Sequence, residues 1–499
     1  MKKLIAILMI LAMLTSVCGI TASAEEKSGE SARDDLVIYS ALEPETLDVS
    51  VSVSTAILFR NLYTTLYRLN YNNQLVPELA ESYSVNEDFT EYSFVIRDDF
   101  FFSDGTPITV EDVKFTFDRC IELGIEYYDV IDKIETPDDK TVVITLKDPN
   151  NGFMAYITSE HMSVMSKAAI ESGMDVENCP TITSGAYYVE NWDKENHRIY
   201  LKGNPYFMGT GPSIENVTIC YKIDDTIYEA MQNGTIDYAT NISYDAEEIP
   251  YLRVIDGIDI IPYDNCSWNF ISLNQERSYF ADVNVRRAIA SAIDVDYIIS
   301  SSLYGQGTPA PLLITGAISG YLPGFNDSPY DVKKAKEYMA ESEYPDGFSM
   351  TLEISDDSGS VVADCVKTLL KEINIDVEVI KEDGNLLVNN ALSGNYDATF
   401  LSYSMYSGHI SHAIPLFIDG DLHLSRGNDT EIGELMQRSL AVDDEERDEL
   451  LTEAYSMMRD QWPYIGLYWI TVYDAKVSGL QLSEPVASEK YILSNMYWE

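Results

Sequence analysis

The stretch EYSFVIRDDFFFSDGTPITVEDVKFTFDRC, residues 91–120, contains the clearest folding signals in the chain. Residues 92–96 alternate apolar and polar side chains, which predicts a half-buried β-strand. The sequence SDGTP, residues 103–107, predicts a turn, because its glycine accepts a positive φ and its proline cannot continue a strand. Thr109, with Asp112 three residues later, is a helix-capping pattern. The stretch therefore predicts a strand, a turn and a helix in succession.

Strand and helix patterns alternate on both sides of this stretch. Short apolar runs predict strands at residues 36–42, 141–149, 185–192, 198–204, 215–223, 236–240, 267–274, 349–355, 376–380 and 397–403. Helical spacing of apolar residues predicts helices at residues 56–67, 225–234, 283–294, 332–342, 361–373 and 431–459. This alternation predicts an α/β fold with mixed sheets in both halves of the chain.

Length and charge narrow the class of protein. The 499 residues exceed the usual limit of about 250–300 residues for one hydrophobic core, so we expect two large lobes. The chain has 82 acidic and 33 basic residues, and its formal net charge is −49. Such a surface repels nucleic acid and anionic lipid and favours a soluble monomer. We therefore expect neither a nucleic-acid partner nor an acidic substrate.

The N-terminus has the pattern of an export signal. Two lysines precede an apolar run that is too short to span a bilayer, and Ala22-Ser23-Ala24 is a small-residue cleavage pattern. We expect residues 1–24 to be removed and residues 25–34 to form a flexible tether. The mature protein is then expected at the cell surface, outside the cell or in the periplasm. Cys18 leaves a lipoprotein signal as the alternative, in which a lipid would tether the chain to the membrane.

Motifs for catalysis and metal binding are missing from the sequence. It contains no GxSxG, HExxH, Walker A or GxGxxG motif. Carboxylate pairs arise so often among 82 acidic residues that they indicate no particular hydrolase site. The cysteines beyond Ala24 are widely spaced and lack a CxxC, which favours buried thiols, with one disulfide as the alternative. We therefore expect that the protein is not an enzyme and that it holds neither a cofactor nor a metal ion.

Five blocks of sequence, taken together and in order, resemble a known family. LVPELAESYSVNEDFTEYSFVIRDDFFFSDGTPITVEDVKFTFDR (75–119) looks like the signature block of the extracellular solute-binding proteins of peptide/nickel-type ABC importers. LKGNPYF (201–207), NVRRAIASAID (284–294), YDVKKAKEYMAESEYPDGF (330–348) and PYIGLYW (463–469) resemble later blocks of the same family. The resemblance covers nearly the whole chain beyond the predicted export signal.

The resemblance implies a two-lobed periplasmic-binding-protein fold of the large peptide/nickel-binding type, with the lobes joined by a hinge of two strands. Lobe I is expected at residues 35–263 and lobe II at residues 264–474, with a C-terminal return to lobe I at residues 475–499. The ligand of such a protein lies between the lobes, and a hinge motion encloses it.

The function implied is that of a substrate-binding subunit of an ABC importer. It would capture an oligopeptide or similar small organic solute and deliver it to a membrane permease with its ATPase. A receptor for a nickel chelate or an oligosaccharide on the same fold is the alternative. A secreted carboxylate-dependent hydrolase is a third hypothesis, which the resemblance disfavours.

The loop that sets specificity departs from the oligopeptide-binding pattern. Those members carry an aspartate a few residues after a Tyr-Asp strand, and it pairs with the α-ammonium of the peptide. Here Tyr406 takes that place, and no acidic residue lies between Asp397 and Asp419. Because a buried unpaired ammonium is costly, another acid, such as Glu43 or Asp264, would have to pair with a free peptide amine.

Positions that match the family's cleft give the candidate ligand-binding residues. Trp268 is the strongest candidate, since an aromatic residue beside a hinge often covers a ligand. For each candidate a role in packing is the competing interpretation. The full set is Glu43, Ser52, Trp268, Asn269, Tyr403, Tyr406, His409 and Trp469.

Two of the five histidines, His409 and His412, stand three residues apart. Imidazoles at this spacing on a helical turn could approach one metal ion. The neighbouring Gly408 and Pro415 instead predict a loop. A structural role is therefore favoured, with contact to a non-metal ligand and metal binding as alternatives.

Overall fold

The computed structural model describes residues 33–51, 56–70, 74–125, 128–209, 211–242, 248–313, 318–355, 357–405, 409–420, 422–483 and 492–499. The predicted export signal and nearly all of the predicted tether lie outside these residues. Among the described helices, none is both long enough and apolar enough to pass through a bilayer.

Helices are distributed along the whole described chain. The α-helices are α1 Ala56–Leu62, α2 Val110–Glu122, α3 Phe153–Ile157, α4 Lys167–Glu171, α5 Ile227–Gln232, α6 Ile249–Leu252, α7 Ser278–Ala281, α8 Val283–Ala292, α9 Val295–Ser302, α10 Val332–Glu341, α11 Asp357–Leu370, α12 Gly384–Ser393, α13 Thr430–Arg438 and α14 Asp444–Gln461. Short 3-10 helices lie at Glu160–Met162, Phe207–Gly209, Lys371–Ile373, Ile410–Leu416, Ser439–Ala441 and Leu493–Asn495.

Strands alternate with these helices. They are β1 Asp35–Ser40, β2 Tyr67–Leu69, β3 Leu75–Pro77, β4 Ala80–Val85, β5 Glu91–Ile96, β6 Ile131–Glu135, β7 Thr141–Leu146, β8 Tyr187–Asp193, β9 Arg198–Gly203, β10 Asn216–Cys220, β11 Tyr238–Thr240, β12 Ile258–Leu273, β13 Gly307–Pro309, β14 Phe348–Ile354, β15 Ile375–Lys381, β16 Ala398–Ser404, β17 Tyr464–Val477, β18 Leu480–Leu482 and β19 Met496–Trp498.

The structure confirms the strand, turn and helix predicted for residues 91–120. The alternate apolar side chains of β5 are buried. Gly105 adopts a φ of +85° in the turn, a conformation that side chains disfavour. At the start of α2 the Asp112 carboxylate accepts hydrogen bonds from the Thr109 backbone N–H at 3.0 Å and from its hydroxyl at 2.7 Å. Local signals were sufficient here because each one is satisfied within a few residues.

The largest sheet has eleven strands within the described residues. Its order is β15-β14-β16-β12-β17-β11-β1-β10-β9-β8, and β13 pairs with β17 off this path. On one side of the centre β1 is parallel to β10 and β11, and on the other side β14 is parallel to β15 and β16. The central strands β12 and β17 are antiparallel to each other and to their outer neighbours. The sheet is therefore mixed on both sides of its central pair.

Strands β12 and β17 change neighbours along their length, and we call them the crossing strands. Residues 258–264 of β12 pair with residues 471–477 of β17, on the side of β1. Residues 268–272 of β12 pair with residues 464–469 of β17, on the side of β16. The register shifts between these two segments. The chain thus passes from one side of the sheet to the other twice, once on each strand.

Separate apolar clusters cover the two sides of the crossing strands. On the β1 side, one cluster joins α1 to β1 and β8–β10, and Leu480, Leu493 and Met496 near the C-terminus complete it. The Trp498 indole N–H also donates to the Asp35 carbonyl at 2.9 Å. On the β16 side, one cluster packs α8–α11 against β14 and β15, and another packs α13 and α14 against the crossing strands. Residues 34–499 form one compact unit, so the predicted lobe boundaries stay predictions.

Several elements differ from the sequence predictions. The helix predicted at residues 56–67 ends at Leu62. Residues 410–416, predicted as a loop, form a 3-10 helix that accommodates Pro415. Helices α9 and α12 and the second half of β17 were not predicted. The prediction of buried thiols holds for Cys120, Cys220 and Cys365, which are free and buried, whereas the free thiol of Cys179 is partly exposed.

Candidate ligand-binding site

The strand directions point to one place in the sheet. Strand β11 runs antiparallel to β17, so its carboxyl end approaches the middle of the crossing strands. Strand β16 ends at Ser404, which pairs with Ser267 beside the register shift in β12. The strands parallel to β11 and β16 share these directions. Ligands of open α/β sheets bind at carboxyl ends of strands where the topology changes, so this crossing point is the candidate site.

Three of the predicted ligand-binding residues form a row across the crossing point. Trp268 pairs with Tyr403 on β16 and with Trp469 on β17. Because directly paired residues of antiparallel strands point to the same face, the three rings share one side of the sheet. We call them the aromatic row. The two tryptophans are fully buried, with exposures of 2% and 0%.

The two tryptophans of the aromatic row differ in hydrogen bonding. The Trp268 ring stacks on Phe270 with centroids 4.4 Å apart, and its indole N–H donates to the Ala310 carbonyl at 3.0 Å. The Trp469 indole N–H is equally buried and has no acceptor among the described residues. A buried donor without a partner is unusual and costs about 1–3 kcal/mol. Trp268 is therefore a fixed part of the core, whereas Trp469 retains an unused donor.

His409, another predicted ligand-binding residue, is buried, with an exposure of 3%. It caps the 3-10 helix at residues 410–416, and its Nδ1 accepts the Ser411 backbone N–H at 3.1 Å. Burial, followed by the charge of Arg447 and by His412, lowers the pKa of His409 to about 4. The imidazole is therefore neutral at neutral pH. In the part of the chain that the structure describes, no three His, Cys, Asp or Glu side chains cluster as metal ligands would.

The chain was compared with protein families and solved structures. The family model for bacterial extracellular solute-binding proteins, family 5 (middle), matches residues 74–417. The chain belongs to this family. The predicted membership is thus confirmed, and the family is one of binding proteins that work with ABC importers.

Family 5 relatives of this chain bind small peptide-like molecules according to their names. The glutathione-binding protein GsiB of Escherichia coli is 29% identical over 321 residues, which is 63% of this chain and 61% of that protein. The chain therefore matches somewhat less than two thirds of the length of GsiB. The "Probable D,D-dipeptide-binding periplasmic protein DdpA" of Escherichia coli is 24% identical over 467 residues, 87% of this chain and 88% of that protein.

The fold of this family 5 protein is similar to that of HbpA2 from Haemophilus parasuis. The two structures superpose with a TM-score of 0.83 at 20% identity, over 93% of this chain and all of that one. The predicted two-lobed periplasmic-binding-protein fold of the peptide/nickel type is confirmed.

A second contact joins the two predicted lobes of this family 5 protein, far from the crossing strands in sequence. The Asn151 backbone N–H donates to the Leu440 carbonyl at 2.7 Å. The Asn151 side-chain amide donates to the Ser439 and Val442 carbonyls, both at 2.8 Å. The His409 ring lies against Gly152, where a Cβ would stand 2.1 Å from its Cε1. We call this arrangement the 151–442 contact.

The remaining predicted residues are placed apart from the aromatic row or cannot be placed. Asn269 is buried, and its amide donates to the Tyr468 carbonyl at 3.3 Å and the Ser267 carbonyl at 3.4 Å. Glu43 follows β1, where its carboxylate bonds His197 Nδ1 at 2.6 Å. Ser52 and Tyr406 lie outside the described residues. All eight assignments as ligand-binding residues stay predictions.

The loop after β1 holds polar groups that the sequence reasoning missed. The Arg119 guanidinium donates to the Asp48 carboxylate at 2.6 Å and also bonds the Ser50 hydroxyl. The Tyr63 hydroxyl is buried and has no hydrogen-bond partner among the described residues, and burial, followed by the Asp48 charge, raises its pKa above the usual range. Tyr63 was predicted only as part of a core helix, and Arg119 only as part of the family block. No sequence signal brings them together, since 55 intervening positions separate them in the chain.

Proposed function

We propose that this protein is the exported substrate-binding subunit of an ABC importer for a peptide-like organic solute. The observation that carries the proposal is the meeting of strand ends from both predicted lobes at the crossing point, in a chain of a solute-binding family. The protein would bind its solute there, release it unchanged to a permease with its ATPase, and catalyse no reaction.

The aromatic row supports a solute with both apolar and hydrogen-bonding groups. Tyr403, the half-buried member of the row, offers a flat apolar surface, and the unused Trp469 donor would bond a carbonyl or carboxylate oxygen once a hinge motion exposes it. The names of GsiB and DdpA are consistent with a small peptide-like solute. The absence of acids between Asp397 and Asp419 disfavours recognition of a free α-ammonium by this loop.

Native mass spectrometry of the protein purified from its own host tests the solute class. We expect a small peptide-like ligand at one copy per chain. Glutathione and a mixed library of short peptides would then be tested by thermal denaturation, since a ligand of the folded state raises the melting temperature by mass action. If no peptide raises it, and stoichiometric nickel or a sugar is found instead, the peptide assignment is wrong and the alternative ligand class is correct.

Export is tested separately from binding. We propose that residues 1–24 direct the chain out of the cytoplasm and that cleavage follows Ala24. N-terminal sequencing of the mature protein should begin at Glu25. A mature chain that begins at Cys18 and carries a lipid would establish the lipoprotein alternative.

A further inference from the structure

A cavity lies on the β16 side, beyond the carboxyl end of β12 and away from the site proposed for the solute. It has a volume of about 710 Å³ and opens to the surface. Its lining includes Gln275, which is seven residues beyond Trp268 and hence about 20 Å farther along the strand direction. The residues that matter for its chemistry are Gln275, Arg286, Arg287, Arg426, Asn428 and Asp460. We call it the arginine cavity.

The charge of the arginine cavity is opposite to that of the protein. The chain has 82 acidic and only 33 basic residues, yet three guanidinium groups and one carboxylate line this cavity. The carboxylate of Asp460 is already paired, because Arg287 Nη2 donates to its Oδ1 at 2.6 Å. Two guanidinium charges therefore remain in excess.

Arg286 is the most buried of the three, with an exposure of 6%. Its Nε donates to the Gln461 carbonyl and its Nη1 to the Phe280 carbonyl, both at 2.7 Å. No carboxylate of the described residues forms an ion pair with it, and its Nη2 makes no hydrogen bond with them. These carbonyls stand at the ends of α14 and α7, where the helix dipole offsets only part of a positive charge. A buried guanidinium without a counter-ion is costly, so the site favours an incoming anion.

The nearest acids, Asp429 and Asp282, favour the Arg286 charge from a distance but form no ion pair with it. Asp429 accepts a hydrogen bond from the Ser425 hydroxyl at 2.7 Å and is also bonded to His423. Asp282 accepts the Asn284 and Glu343 backbone N–H groups, both at 2.8 Å. Each carboxylate is thus held by other groups. The positive charge of Arg286 remains without an ion-paired partner in the described structure.

Two further lining residues also have donors in excess. The Arg426 Nε and the Gln275 Nε2 are buried and have no acceptor among the described residues. Arg426 is held against Gly394, where a Cβ would lie 2.6 Å from its Nε, and the Gln275 amide lies over Gly427, where a Cβ would lie 2.3 Å away. The groups without partners on these residues are N–H donors. Such a lining selects a ligand group that only accepts hydrogen bonds.

We propose that the arginine cavity binds a small oxyanion, such as a phosphate or carboxylate group of a small molecule, independently of the solute at the crossing point. Guanidinium groups match both oxyanions, because their planar N–H pairs can bond two oxygens at once. Arg426 and Arg286 Nη2 would contact the anion, and Arg287 would hold Asp460 away from it.

The test is calorimetric titration of the full-length protein with inorganic phosphate, at constant ionic strength set with chloride. We expect saturable binding at one site. Arg426→Gln should weaken it by at least about tenfold, since it removes a charge-assisted hydrogen bond to the anion. Arg287→Gln should weaken it by a similar factor, since it leaves the Asp460 carboxylate free to repel the anion. Arg286→Lys, which keeps the charge but removes the forked donor, should weaken it as well. Arg438→Gln is the matched control, because it removes an exposed guanidinium from the same side of the sheet without touching the cavity.

Citrate distinguishes the two oxyanion sources. Binding of citrate but not phosphate, with the same dependence on Arg287 and Arg426, would identify a carboxylate ligand. Failure of both anions to bind would overturn the proposal. It would also be overturned if Arg438→Gln weakened binding as much as Arg426→Gln, since the effect would then be one of overall charge. The melting temperature of each variant without anion shows whether the variant is folded. If Arg426→Gln or Arg287→Gln is misfolded, the other of the two decides the outcome.

Discussion

The two predicted lobes are joined in two different ways. At the crossing strands they share a backbone ladder with a register shift and the aromatic row, whose two tryptophans are buried. At the 151–442 contact they share three hydrogen bonds from one asparagine and the packing of one histidine on one glycine. The crossing strands cannot separate without loss of the sheet. The 151–442 contact can open while every strand stays paired. A hinge motion that admits a solute would therefore open the 151–442 contact and bend the crossing strands.

Trp268→Ala should give the largest effect, because it removes the centre of the aromatic row. We expect a loss of about 3–5 kcal/mol in the free energy of unfolding, measured by urea denaturation. Solute binding should also fall more than in His412→Ala, whose side chain is only half-buried. Equal losses in the two variants would mean that the crossing point is not the solute site.

Acid should weaken the 151–442 contact through His409. Its pKa is lowered to about 4, mainly by burial, from an ordinary value near 6.5. Between these values the unfolded chain binds more protons than the folded one, so stability falls as the pH decreases through this window. The effect should be at most about 3 kcal/mol. It is measured as the pH dependence of unfolding, with His409→Gln as the comparison; an unchanged profile in that variant would contradict the assignment.

Gly152→Val should disturb the 151–442 contact without touching the crossing strands. The new side chain would collide with the His409 ring, which Ser411 holds in place, at a cost of about 1–3 kcal/mol. Small-angle X-ray scattering should show a larger radius of gyration for this variant. Gly384→Val is the control, since a Cβ there meets no atom within 4 Å. Equal compactness of both variants would show that the contact does not hold the lobes together.

The smallest expected effect on stability is the difference between Trp469→Phe and Trp268→Phe. Both remove an indole N–H, but only that of Trp268 has an acceptor among the described residues. Trp268→Phe should therefore be the less stable variant by about 1 kcal/mol. If Trp469 donates to the solute, its variant should instead lose about tenfold in solute affinity. If the solute affinity of Trp469→Phe is unchanged, the Trp469 indole N–H does not bind the solute.

The sequence predicted the elements whose signals are local. The Thr109–Asp112 cap, the Gly105 turn and the alternation in β5 are each satisfied within a few residues, and all three were found. The aromatic row could not be predicted as a row. It depends on the register between β16, β12 and β17, which neighbouring residues do not specify.

Burial of His409 was missed for a related reason. Gly408 and Pro415 indicate a loop, but a 3-10 helix accepts Pro415 and places the imidazole on Gly152, which lies more than 250 positions earlier in the chain. The arginine cavity was missed because its lining comes from four separate segments. The family blocks indicated the first half of β17, at residues 463–469. The second half of β17 matches no family block, so it was not predicted.

The place of β17 between β11 and β12 has a consequence for how the chain acquires its structure. This strand, Tyr464–Val477, is a central member of the large sheet, yet it is the last strand of that sheet in chain order. Until it arrives, β11 and β12 each present an open edge, and neither side of the sheet can close. Native pairing of β11 and β12 must therefore await synthesis of β17, and the long sequence separations predict slow folding. A stop codon placed before residue 464 should yield two unpaired half-sheets that aggregate rather than one shortened protein.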